Sequence, residues 1–140
     1  MSIAEILLPA FVLVALTFAL VIWTGIRRVS VIRGGQVRMK DVALGERNWP
    51  ENVAKVGNAY ENQLQMPVLF YLLVALALIT RRADFAFVVL SWIFVATRFI
   101  HVYLHTGTNY MPHRFYAFLA GVIVLAIMWV KFAFEILSVA

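Results

Sequence analysis

Four apolar runs, each approaching or exceeding the roughly 20 residues that a helix needs to cross a bilayer, constrain this chain more than any other feature. They lie at about Ile3 to Ile26, Val56 to Ile79, Phe85 to Leu104 and Phe115 to Leu137. Hydrocarbon offers backbone groups no hydrogen-bond partners, so runs of this length must satisfy their own amides as α-helices. The expected fold class is therefore all-α: an integral membrane bundle of four transmembrane helices, with residues 1–140 forming one domain. The first run is expected to stay in the protein rather than act as a leader. No Lys or Arg precedes it, its apolar stretch is too long, and no small-residue cleavage site follows.

Basic residues orient the bundle. The connection from Arg27 to Lys55 also carries Arg28, Arg33, Arg38, Lys40 and Arg47, whereas the turn between the second and third runs has only Arg81 and Arg82. The positive-inside rule places the long 27–55 loop in the cytoplasm and both termini on the opposite side. The formal net charge of +5 is thus a topological signal, and nucleic acid is not an expected partner. Cysteine is absent, which removes disulfides, thiolate nucleophiles and cysteine-bound metals from this chain's own repertoire. Any thiol chemistry must come from a substrate.

Two short polar stripes interrupt the oily pattern. Asn58, Glu61, Asn62 and Gln65 share one face of the second run, and Arg98, His101 and His105 share one face of the third. The alternating topology puts both at one depth near the cytoplasmic side. Arg114 joins them at the start of the fourth run, and Arg27 and Arg28 close the first run there. Burying polar groups in a membrane is costly, and they mark functional sites by default. Arginines pair carboxylates bidentately, amides orient peptide-like groups and a carboxylate holds an ammonium, so the set suits a small zwitterionic or anionic ligand. A guanidinium beside a bound thiol favours the thiolate. The rival reading is that such residues snorkel or act as interhelical glue; seven of them in two aligned stripes favour a site.

Other features have simpler readings. His101 and His105 have the spacing of metal ligands, but no further ligand is placed, so no metal is expected. Lys131 and Glu135 form an i,i+4 pair. Pro67 is expected to bend the second helix beyond the polar stripe. Gly34 and Gly35 read as a turn, and Ala117 with Gly121 favours close helix approach, within or between subunits.

The run from Asn58 to Tyr71, with Glu61, Asn62, Gln65, Pro67 and Phe70, followed by Arg98, His101, His105 and Arg114, resembles the MAPEG family, the membrane-associated proteins in eicosanoid and glutathione metabolism. It looks most like the small bacterial branch. The resemblance implies a homotrimer in the inner membrane, with glutathione as co-substrate held at the cytoplasmic side. It also implies transferase or peroxidase activity toward lipophilic electrophiles. Arg114 matches the arginine that activates the thiol, and His101 is the candidate proton donor. Asn58, Glu61, Asn62, Gln65, Arg98, His105 and Arg28 are the candidate binding residues. Two registers fit the family's Arg-x-x-x-Asn-x-x-Glu pattern: Asn58 with Glu61, which puts Ala54 at the arginine position, or Asn62 with Gln65, which replaces the Glu. On the third helix, His101 and His105 stand where the eicosanoid enzymes have tyrosines. The alternative is a non-catalytic protein of the same fold that binds a lipid or scaffolds a complex.

Overall fold

The structure, a computed structural model, describes residues 1–140. It is all-helical: α1 Ile3–Arg33, a short 3-10 turn at Met39–Asp41, α2 Glu51–Asn62, α3 Met66–Ile79, α4 Phe85–Thr106 and α5 Met111–Leu137. Four units are long and apolar enough to cross a membrane: α1, α2 together with α3, α4, and α5.

The helices outrun their apolar runs. α1 continues beyond Ile26 to Arg33, about 46 Å at 1.5 Å per residue, so Arg27 and Arg28 lie inside its last turns and do not close it. Hydropathy ends at the arginines, but nothing there breaks a helix. The break comes at Gly34, whose amide donates to the Ser30 carbonyl at 2.9 Å, and at Gly35, which has φ +74°. α2 likewise begins at Glu51 and α5 at Met111, each just after or around a proline that suits a first helical turn. The α4–α5 connection shrinks to residues 107–110.

The second run is a larger correction. It is not one bent helix but two, separated at residues 63–65. Pro67 has no amide hydrogen and its ring crowds the carbonyl four residues earlier. The chain tightens instead: the amides of Gln63, Leu64 and Gln65 donate to the carbonyls of Tyr60, Glu61 and Asn62 at 2.9, 3.0 and 3.3 Å. The change of direction lets α2 pack on α1 and α4, while α3 packs on α1 and α5.

The main core fills the end of the bundle away from the polar stripes. Ile6, Ala10 and Leu13 of α1 meet Phe70, Leu73, Val74 and Ala77 of α3, with Phe87 and Phe94 of α4 and Leu125, Met128 and Phe132 of α5. The Phe70 and Phe94 rings stack at 4.8 Å. Gly121 lets α5 approach α4: a Cβ there would stand 2.9 Å from Thr97 Oγ1. Gly121 of the Ala117–Gly121 pair therefore serves helix packing within the chain. Asp84 caps α4 by accepting from the Phe87 amide at 2.8 Å and receives Lys131 of α5 at 2.9 Å. Lys131 also bonds Glu135, the expected pair. A small cluster of Val31, Val37 and Val53, with Val42 and Trp49 against it, folds the α1–α2 loop onto the opposite end.

Candidate functional site

α2 and α4 run side by side at the end where the loop folds over, and the first turns of α5 close the third side. Between them is a cavity of about 360 Å³ lined by Asn58, Glu61, Asn62 and Gln65, by His101 and His105, by Met111, Arg114, Phe115 and Phe118, and by Arg47. The residues of both polar stripes except Arg98 meet here, together with Arg114. Gln65 reaches the wall from the α2–α3 break rather than from the same helix as the other three.

The walls differ in character. On α4, His101 and His105 are buried, 2% and 6% exposed, with ring centroids 5.5 Å apart at nearly a right angle. The Nδ1 atom of each is buried without a protein partner. Buried polar atoms of that kind are rare and call for an explanation. Phe118 flanks His101, 6.0 Å between ring centroids. By contrast, Asn58 and Glu61 on α2 and Gln65 in the break that follows it are exposed, so this side of the cavity is open to whatever surrounds the chain.

Arg98 does not line the cavity. It is 1% exposed and stands behind the wall, where Nη2 donates to Asn62 Oδ1 at 2.5 Å. Arg98 thereby fixes the Asn62 amide, and its charge lies under the cavity floor. Arg114 sits in the first turn of α5, and its Nη1 donates to Asn109 Oδ1 at 2.7 Å. Glu61 is the only carboxylate on the wall and takes part in no salt bridge. Lys55, earlier on α2, pairs with Glu51 at 3.3 Å and donates to the Gly107 carbonyl at 3.1 Å. Two guanidinium groups on the wall and a third behind it, against one carboxylate, give the cavity an excess of positive charge.

Arg28 is separate. It lines a neighbouring cavity of about 280 Å³ with Trp49, Glu46 and Gly57, which shares Arg47, Asn58 and Glu61 with the first. Its guanidinium lies 4.9 Å from the Trp49 ring centroid and fits against Gly57, where a Cβ would come within 3.1 Å of Nη2. Sequence reasoning missed Arg47, which reads as one more topological charge, and Asn109, which sits in a short turn. Met111, Phe115 and Phe118 were legible in principle, because they recur on the Arg114 face of α5 at helical spacing.

Chemically, the arrangement can bind a small molecule carrying anionic groups, orient it through amides and imidazoles, and present it to an apolar α5 wall. No curated protein and no solved structure matches this chain. A family model described as the MAPEG family matches residues 6–134, and with a match over nearly the whole length the chain belongs to the MAPEG family.

Proposed function

We propose that this protein is a glutathione-dependent transferase or peroxidase acting on lipophilic electrophiles or hydroperoxides. It works as a homotrimer in a bacterial inner membrane, with the loop between α1 and α2 in the cytoplasm and both termini opposite. The observation that carries this reading is the single cationic cavity that collects amides, imidazoles and Arg114 beside an apolar helix face. Members of the family generally use glutathione. The donor set fits that molecule: Arg47, Arg114 and the neighbouring Arg28 suit its carboxylates, Glu61 its ammonium, and Asn58, Asn62 and Gln65 its peptide groups. The exposed α2 wall supports a trimer, because a second copy would enclose it.

Arg114 favours the thiolate of the bound co-substrate by charge. Phe115, Phe118 and Met111 receive the lipophilic partner. In transfer, the thiol gives its proton to His101, sulfur bonds to the electrophilic carbon, and the leaving group departs with its electron pair and takes that proton from His101. In reduction, the O–O bond of a hydroperoxide breaks to give an alcohol and water while two thiols are oxidised to a disulfide. His105 and the Arg98-held Asn62 position the ligand.

The test is equilibrium binding of glutathione to the purified protein in detergent, wild type against Arg114→Ala. Binding should saturate in the wild type and weaken about tenfold or more in the variant, the loss expected for a charge-assisted contact. No binding at millimolar glutathione would overturn the reading in favour of a lipid-binding or scaffold protein of the same fold.

A further inference from the structure

Two of the three arginines beside the cavity, Arg98 and Arg114, are held by asparagines rather than carboxylates. Arg98 donates to Asn62 Oδ1 and Arg114 to Asn109 Oδ1, and neither enters a salt bridge; the ion pairs of the chain are Arg38–Asp41, Lys55–Glu51, Lys131–Asp84 and Lys131–Glu135. The difference matters. A carboxylate would orient a guanidinium but cancel its charge, whereas an amide oxygen accepts one hydrogen bond and leaves the full charge in place.

Asn109 is built to be a fixed point. Its φ is +53°, in the left-handed region that Asn tolerates better than other residues with side chains. Its amide donates to the Leu104 carbonyl at 2.8 Å, closing the end of α4. Two residues earlier, the Gly107 amide bonds the Tyr103 carbonyl at 3.0 Å, and the Gly107 carbonyl takes Lys55 from α2. The turn is therefore tied to α4 and α2, and Oδ1 projects from it toward the first turn of α5. An arginine at the mouth of a cavity, left without such an acceptor, turns its long stem toward water.

We infer that Asn109 is a positioning residue: it aims the Arg114 guanidinium at the cavity without neutralising it, and so makes the site selective for an anionic group on the bound small molecule. This rests on the reading that Arg114 faces the ligand. The experiment compares wild type, Asn109→Asp and Asn109→Gly as full chains in detergent. The first variant keeps the shape and adds a charge. The second keeps the backbone conformation and removes the acceptor. Two quantities are measured: glutathione affinity as a function of salt, and the rate at which phenylglyoxal modifies Arg114, followed by peptide mass. Asn109→Asp should bind glutathione about tenfold more weakly and show a shallower salt dependence, because the Arg114 charge is then cancelled internally while those of Arg47 and Arg98 remain. Asn109→Gly should bind about fivefold more weakly with the salt dependence retained, and its Arg114 should react faster as the guanidinium is freed. Wild-type affinity and salt dependence in Asn109→Asp, or equal Arg114 labelling in all three proteins, would overturn the inference. Labelling needs no ligand, so it decides the hold of Asn109 on Arg114 even if wild-type protein binds no glutathione, an outcome that would sink the functional reading alone.

Discussion

Two glycines show how differently the same residue acts within one membrane bundle. At Gly121 the absent side chain is what lets α5 meet α4, since a Cβ would press on Thr97 Oγ1, which itself bonds the Phe94 carbonyl at 2.6 Å. Gly121→Leu should cost about 1–3 kcal/mol, as overpacking of a tight interface does. At Gly25 nothing lies within 4 Å of the corresponding position, so Gly25→Ala should be neutral or stabilising by up to about 1 kcal/mol through helix propensity. Thermal unfolding in detergent separates the two; equal effects would mean that the α4–α5 contact is not as tight as the geometry implies. Residue by residue, the site was legible where a polar group interrupts an apolar helix, as at Asn62, His101 and His105. It was not legible at Arg47 or Asn109. A loop residue carries no periodicity, and its relation to a cavity is made only by the path of the chain.

Among the elements, the start of α4 is the joint best defined chemically. Partial burial pushes the Asp84 carboxyl up, but the hydrogen bond from Lys131 and the Phe87 amide outweigh it and hold the group below its ordinary value of 3.8. A carboxyl whose folded value is depressed contributes stability that is present above its unfolded value and is lost as pH falls through the folded one. The wild type should therefore lose stability as pH drops below about 4, and Asp84→Asn should flatten that acid limb. Melting temperatures across acid pH would show it, and identical limbs in the two proteins would refute it. Asp84→Ala, which also removes the cap, should cost about 1 kcal/mol at neutral pH. The second run teaches a different lesson. Pro67 announces a disturbance, but a proline in a membrane helix is compatible with a kink or with a break. The neighbours decide between them: α4 beside α2 and α5 beside α3 favour the change of direction at residues 63–65.

For the whole molecule, α1 and α5 expose large apolar side chains, Phe18, Ile22 and Ile26 on one and Val130, Phe134 and Leu137 on the other. Such a surface needs hydrocarbon or another copy against it. Under the proposed trimer, native mass spectrometry from detergent should give a complex of three 15.9 kDa chains; a monomer under conditions that preserve glutathione binding would contradict it. The amino-acid sequence by itself determined the number of helical units long and apolar enough to span a membrane, the family and most of the side chains that line the cavity. Hydrophobic length and charge asymmetry are local quantities that a bilayer reads directly. Only the tertiary structure decided that Arg98 stands behind the wall and not in it, that Arg47 overhangs two adjoining cavities, and that Asn109 holds Arg114. Those relations depend on where α2 breaks and how short the α4–α5 turn is, and both are set by packing between helices far apart in the chain.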